Sequence, residues 1–231
     1  MSIAARPDPA ALRVLPAVAP FVVRPDCRGT PRLTAPTGLV ALDRLLGGGF
    51  PRGAIAELVG PRGSGRTSIL LAALARATAG RALAALIDAT DGLDPVSARA
   101  RGVELGQLLW VRCGGSLRVA IQAADVVVRG GGFDLVAVDL GELPPWQLQR
   151  LPAPAVVRIQ RAVEGTGAAL VVSAVRRVAG SLAATALALS PVRPRWERGG
   201  PGLLDALVTA ARLVRARDRA PGAAVELRWV A

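Results

Sequence analysis

The chain of 231 residues lacks histidine, tyrosine and lysine, and all 29 of its basic residues are therefore arginine. Its two cysteines, Cys27 and Cys113, lie far apart in the sequence. The lack of histidine and of a Cys-x-x-Cys pair argues against Cys/His zinc sites and excludes acid–base catalysis by histidine. We therefore expect no zinc site, and we expect both cysteines to be inert.

Long apolar runs are also missing, although 52% of the residues are hydrophobic and the mean hydropathy is +0.40. Arginine, glycine and proline interrupt the apolar segments before any of them reaches the roughly 18 residues of a membrane-spanning helix. The chain does not open with a basic segment followed by an apolar core, as a secretion signal does. The sequence predicts a cytoplasmic protein that does not enter membranes.

The net charge of +12 and the pI of about 11.7 leave two interpretations open. One is an acidic partner, either nucleic acid or an acidic protein surface. The other is a set of solvated surface arginines that reflects an arginine-rich composition. Composition alone does not choose between them.

Prolines divide the chain, because residues 1–36 contain seven of them and cannot form one long helix. We expect residues 1–36 to be an extended arm and residues 37–231 a single domain. In that domain strand patterns alternate with helical ones, which predicts a mostly parallel sheet. The predicted strands are 54–59, 82–88, 108–113, 135–139 and 168–174, the predicted helices are 67–78, 96–101, 117–129 and 154–164, and a hairpin of strands 212–217 and 224–230 ends the chain.

Residues 60–67 read Gly-Pro-Arg-Gly-Ser-Gly-Arg-Thr and match a phosphate-binding P-loop at every position except the lysine, which is Arg66. In this motif backbone N–H groups surround phosphate oxygens, the lysine reaches the terminal phosphates and the Thr hydroxyl binds Mg²⁺. Arginine is longer, planar and forked, so it does not replace a compact ammonium without displacing a neighbour. The predicted nucleotide contacts in this loop are Gly60, Gly63, Gly65, Arg66, Thr67 and Ser68.

A second nucleotide signature is the apolar strand at residues 133–139, which ends in Asp139. An acid in this place, about 70 residues after a P-loop, is typical of the aspartate that orders the Mg²⁺ shell. Many buried strands also end in aspartate only to cap a turn. We predict Thr67 and Asp139 as the Mg²⁺ ligands of any bound nucleotide.

Further motifs precede and follow the P-loop: Thr37-Gly38, Leu42-Asp43, Leu46-Gly47-Gly48-Gly49, and Ile-Asp-Ala-Thr-Asp-Gly-Leu-Asp-Pro at residues 87–95. In order and spacing, residues 37–140 resemble the core of the RecA superfamily, which includes RecA, RadA and KaiC. The resemblance implies an α/β fold with a RecA-like P-loop core, a mostly parallel twisted sheet flanked by helices, and a C-terminal β-hairpin.

The chain departs from that family at three functional positions. In RecA-type enzymes the segment after the P-loop helix reads Ile-Asp-Ala-Glu, and its glutamate activates the attacking water; here that position is Thr90, which cannot act as a carboxylate base. The ring that stacks on adenine falls at Ser97, although Asp94 matches an adenine-contacting aspartate. With Arg66, these changes imply no catalytic residue and an ATP and Mg²⁺ site that is weakened or lost.

The segments that match the two DNA-binding loops of RecA, residues 141–147 and 175–181, are short, and we expect no filament. Trp110 and Trp229 fall in predicted strands, where core packing is expected. Arg215, Arg217 and Arg219 are predicted to share one strand face, as a basic stripe or as a solvated sheet edge. The predicted partner or DNA contacts are Trp146, Arg176, Arg177, Trp196, Arg212, Arg215, Arg217 and Arg219.

Length and losses make the chain most similar to the ImuA family, the RecA-related accessory proteins of the bacterial mutasome. This similarity implies a scaffold for a Y-family polymerase-like partner in error-prone translesion synthesis, within the SOS-type response to DNA damage. The alternative is an active RecA/RadA-type DNA-dependent ATPase in which Asp88, Asp91 or Glu142 activates water. A third hypothesis is an arginine-rich nucleic-acid-binding module whose binding weakens steeply with salt.

Overall fold

A computed structural model of the chain describes residues 33–141, 143–196 and 202–230. Most of the predicted arm, together with Cys27, lies outside the described residues. The end of the arm belongs to the folded unit, because strand β1 (Thr34–Ala35) pairs antiparallel with strand β2 (Phe50–Pro51). Between them, helix α1 (Val40–Leu46) ends at Gly47, which has φ 74.

The strands of the main sheet are β3 (Ala54–Val59), β4 (Leu83–Asp88), β5 (Leu108–Arg112), β6 (Phe133–Asp139), β7 (Ala169–Ala174), β8 (Thr185–Leu189), β9 (Arg193–Trp196), β10 (Leu204–Ala216) and β11 (Ala224–Val230). Their order is β11-β10-β8-β3-β7-β6-β4-β5, and β9 pairs with the first half of β10. Neighbouring strands from β8 to β5 are parallel, whereas β10 runs antiparallel to β8, β9 and β11. The predicted mostly parallel sheet and its C-terminal hairpin at the edge are therefore confirmed.

Helices cover both faces of the sheet because its central strands are apolar on both sides. The helices after α1 are α2 (Arg66–Ala79), α3 (Pro95–Ala100), α4 (Leu117–Gly130), α5 (Pro145–Gln149) and α6 (Ala153–Glu164). Consecutive strand residues point to opposite faces, so Leu86 packs in the cluster beneath α1 and α2 while Ile87 packs beneath α4 and α6.

Strands β8 and β9 were not predicted, and β10 is much longer than the predicted strand 212–217. β8 reads Thr-Ala-Leu-Ala-Leu and is buried along most of its length, so its sequence lacks the polar–apolar alternation of a half-exposed strand. Apart from Thr185, it also lacks the β-branched and aromatic residues that favour strands. The pairing of β10 shifts register between Leu213 and Arg215. Such a bulge interrupts the period of two on which strand prediction depends.

No helix in the described ranges has both the length and the apolar character needed to cross a membrane.

Candidate nucleotide site

The P-loop lies between β3 and α2, at the carboxyl edge of the parallel strands. Gly65 precedes α2 with φ 86, and a Cβ at this position would lie 2.9 Å from the Trp229 ring. The carbonyl oxygen of Gly63 accepts a hydrogen bond of 3.0 Å from the Val192 N–H. At Gly60, a Cβ would lie 2.5 Å from Ser64 Oγ. Trp229 of β11 and the segment before β9 thus contact the loop.

The cradle of this loop is open to an anion. A Cβ built on Gly63 meets no described atom within 4 Å, and Thr67 is exposed while Ser68 is half-buried. No side chain of the described residues caps the first turn of α2, a helix of 14 residues. Backbone N–H groups at such a helix start favour phosphate, so this half of the site fits the phosphates of a nucleotide.

Arg66 does not extend into the cradle. Its side chain is 6% exposed and crosses the ends of β6 and β7, where Nη2 donates to the Gly141 carbonyl oxygen at 3.2 Å and Nη1 to Ser173 Oγ at 3.3 Å. A Cβ on Gly141 would lie 2.5 Å from Arg66 Nη1 and 2.9 Å from Asp139 Oδ1. The Arg66 guanidinium and the Asp139 carboxylate therefore both lie close to the position that a Cβ on Gly141 would take.

Asp139 is held by the protein itself. Its Oδ1 accepts from the Gly141 N–H at 3.0 Å. Burial raises the pKa of the Asp139 carboxyl, although the Gly141 amide, the Ser173 hydroxyl and the Arg66 guanidinium each lower it. A Mg²⁺ ion beside this carboxylate would compete for space with the bulky Arg66 guanidinium. The metal half of a nucleotide site therefore does not fit this arrangement.

Arg66, Thr67, Thr90 and Asp139 all line one cavity of about 280 Å³ between α2 and the strand ends. Four residues that the sequence singled out therefore share one cavity, while the nucleotide and Mg²⁺ contacts predicted for them stay predictions. Thr90 contributes a side chain without a carboxylate to this cavity. Much of the remaining lining is aliphatic: Leu70, Leu71, Leu74, Leu86 and Leu93.

Asp88, a candidate replacement base, is 2% exposed and accepts four hydrogen bonds. Its donors are the N–H groups of Thr90 (3.3 Å), Gly92 (3.0 Å) and Leu93 (2.9 Å) and the Trp110 Nε1 (3.2 Å). The carboxylate fixes the 89–93 loop and has little accepting capacity left. Trp110, predicted as a core residue, is half-buried and serves as one of these donors.

Of the other two candidate bases, the structure describes only Asp91. Asp91 forms an ion pair of 3.1 Å with Arg112, and Glu142 lies outside the described residues. Asp94 caps α3 by accepting from Ser97 Oγ at 2.5 Å and from the Ser97 N–H at 3.0 Å. These bonds lower the pKa of the Asp94 carboxyl. The adenine contact predicted for Asp94 stays a prediction.

Comparison with known proteins agrees with this architecture. The family of the RecA N-terminal domain matches residues 30–189. The chain belongs to the RecA family.

Among curated relatives, it is 46% identical over 110 residues to the RecA protein of Clavibacter michiganensis and 47% identical over 105 residues to that of Methylococcus capsulatus. These alignments cover 47% and 45% of this chain and 30% of each relative. The crystal structure of the RadB recombinase has a similar fold, with a TM-score of 0.61 at 21% identity, and the alignment covers 84% of this chain and 96% of that one.

In this RecA-family chain the segment after β7 is tied to the core by a glutamate that sequence reasoning did not single out. Glu57, which is 1% exposed, accepts from Arg177 Nε at 3.0 Å and from the N–H groups of Val178 and Ala179 at 2.7 Å each. A single acid inside the apolar strand Ala-Ile-Ala-Glu-Leu-Val was the available signal. Arg177, predicted as a partner contact, thus has an intramolecular role.

The predicted stripe of Arg215, Arg217 and Arg219 is wrong, because β10 ends at Ala216 and its register shifts between Leu213 and Arg215. Arg215 donates to the carbonyl oxygens of Ala183 (2.6 Å) and Ser181 (2.9 Å), and Arg217 to that of Leu182 (3.4 Å). Arg219 lies in the following turn and donates to the Leu45 carbonyl oxygen at 3.1 Å. All three stabilise neighbouring segments.

The other predicted contact residues are exposed. Trp146 in α5 is 54% exposed with the Arg150 guanidinium 5.1 Å from its ring centre, and Trp196 in β9 is 57% exposed. Arg176 and Arg212 are exposed on the 175–183 segment and on β10. Trp229, predicted as a core residue, is half-buried beneath the P-loop.

Proposed function

We propose that this RecA-family chain is a degenerate scaffold in DNA damage tolerance, an accessory protein of the ImuA type that binds a Y-family polymerase-like partner in error-prone translesion synthesis. It acts in the cytoplasm, without forming a filament. The observation that carries the proposal is the position of Arg66, whose guanidinium lies against Gly141, Ser173 and Asp139 instead of in the phosphate cradle.

Among the candidate bases that the structure describes, none has a free carboxylate, and this supports the same conclusion. Thr90 has no carboxylate, Asp88 accepts four hydrogen bonds, and Asp91 is paired with Arg112. Activation of water requires a group within hydrogen-bond reach whose lone pairs are free. ATP therefore binds weakly through the cradle and is not hydrolysed.

The loops at the carboxyl edge support a rigid scaffold. The 175–183 segment is bound by Glu57, Arg215 and Arg217, and the connection from β6 to α6 is partly buried through Leu143 and Leu148. Such loops have little freedom to rearrange around a DNA strand. Any DNA contact made by Arg176 or Arg212 is electrostatic and without sequence preference.

Deletion of the gene tests this role. The scaffold predicts that the deletion lowers damage-induced mutation while homologous recombination is unchanged, and that the Thr67→Ala variant restores mutation fully. Thr67 is exposed, so its loss should not affect folding, yet an ATPase would need its hydroxyl for Mg²⁺. A Thr67→Ala protein that is expressed normally but does not restore mutation would refute the scaffold.

The alternative is an active RecA/RadA-type DNA-dependent ATPase, and the open cradle next to Thr67 favours it. It predicts phosphate release from ATP that single-stranded DNA stimulates and that Thr67→Ala abolishes. Release at the level of the buffer blank, with and without DNA, would exclude this function.

A further inference from the structure

A groove of about 600 Å³ lies between α4, α5 and α6 and shares no lining residue with the nucleotide cavity. Its lining is mostly apolar, with Leu117 and Ile121 from α4, Ala155 from α6, and Leu151 from the connection before α6. Trp146, which is 54% exposed, forms one end. An exposed apolar trough of this kind is typical of a site that receives apolar side chains.

Arginines surround the groove. Arg118, Arg150 and Arg158 line it, and a second depression of about 720 Å³ shares Arg158 and adds Arg129 and Arg161. Across the described residues, neither lining contains an acidic side chain.

The Asp125 carboxylate forms ion pairs with Arg129 at 3.0 Å and with Arg158 at 3.2 Å. One carboxylate therefore forms ion pairs with two of these five guanidinium groups. The rim of the groove keeps a surplus of positive charge, which attracts an acidic partner.

We propose that this groove binds an acidic amphipathic segment of a partner protein, with apolar side chains in the trough and carboxylates against the rim. Helix-in-groove recognition uses apolar anchors at positions i, i+3, i+4 and i+7, and the groove runs between two packed helices that supply both walls. The inference rests on the proposed scaffold function, since it gives the scaffold a surface for its partner.

Two other occupants fit less well. Sites for single-stranded nucleic acid present several rings on which successive bases stack, whereas this groove has one ring, and Arg150 already lies 5.1 Å from its centre. A second copy of the chain would bring a net charge of +12 toward a positive rim, which opposes association.

Fluorescence anisotropy of a labelled 16-residue peptide, with leucines on one helical face and glutamates on the other, tests the groove with the full chain. We expect saturable binding, with binding at least about tenfold weaker for a scrambled peptide of the same composition and none for the peptide with lysine in place of glutamate. Equal binding of the three peptides, or no binding of the first, would overturn the proposal.

Variants locate the binding. Trp146→Ala and Arg118→Glu should each weaken it about tenfold, whereas Trp196→Ala and Arg193→Glu, which change equally exposed residues of β9, should leave it unchanged. Peptide binding that resists both groove substitutions would refute the site. A labelled oligothymidine that binds wild type more tightly than the peptide, and that Trp146→Ala releases, would assign the groove to nucleic acid instead.

The result is separable from the test of the scaffold function. Peptide binding is measured without nucleotide, so the result of the phosphate-release assay does not affect it. Phosphate release with intact peptide binding would refute the inactive site and leave the groove, while absence of both would leave the inactive site and refute the groove.

Discussion

The two halves of the nucleotide cavity differ in what builds them. The phosphate half, residues 60–67, is formed by backbone and stays open, whereas the strand-end half is formed by Asp88, Asp139 and Ser173, whose side chains bind groups of the protein itself. Gly65 packs against Trp229 and Gly63 accepts from Val192. The phosphate half thus contacts the C-terminal part of the chain through its backbone, while at the strand ends the side chains bind one another and neighbouring backbone groups.

The largest effect should come from Asp88. Asp88→Ala removes the acceptor of four donors, and leaving several buried donors unsatisfied should lower the free energy of unfolding by about 3–5 kcal/mol, as measured by urea denaturation. Asp91→Ala is the matched control, because its ion pair with Arg112 is partly exposed and should contribute about 1 kcal/mol or less. Equal losses for the two variants would contradict the comparison.

Glu57→Ala should have the next largest effect, about 2–3 kcal/mol, because the Val178 and Ala179 N–H groups lose their acceptor. Hydrogen exchange at these two amides should accelerate together. Arg177→Ala keeps both amide bonds and should destabilise the protein less. If Arg177→Ala proved the more damaging change, the carboxylate would not be what holds the segment.

Arg66→Lys changes the residue that lies between the two halves of the cavity. A lysine ammonium is a single point and cannot bridge Gly141 and Ser173 as the guanidinium does, so Asp139 becomes accessible to a metal. Calorimetric titration should show ATP affinity about tenfold higher with Mg²⁺ than with EDTA, without turnover because Thr90 remains. Arg62→Lys, in the same loop, should show no such difference. A Mg²⁺ effect on ATP affinity in both variants would show that the effect does not depend on Arg66.

The smallest effect concerns Cys113, next to the strand-end half. Burial raises the pKa of this thiol to about 11, and the Asp88 and Asp91 carboxylates add to the shift. In a Cys27→Ser background, alkylation should be slow at pH 8 and should accelerate as the pH approaches 11, since only the thiolate reacts. Asp91→Asn should increase the rate at a given pH. Rapid alkylation at pH 8 would show that the thiol is not in the environment described.

The sequence predicted the order of the core because its signals are local: β3, the P-loop and α2 follow one another within 26 residues (Ala54–Ala79). It did not predict the direction of Arg66, whose partners Gly141 and Ser173 are 75 and 107 positions away. The role of Glu57 likewise depends on a loop 120 or more positions later. Long-range side-chain partners depend on the assembled sheet, and no local pattern encodes them.

The most direct test of the account is a calorimetric titration of the full chain with ATP, in Mg²⁺ and in EDTA, with phosphate release measured on the same sample. An inactive scaffold in which Arg66 occupies the metal position should bind ATP weakly, with equal affinity in both solutions, and should release no phosphate. Binding that requires Mg²⁺, with turnover that Asp139→Asn abolishes, would contradict it and identify an ATPase with a relocated base.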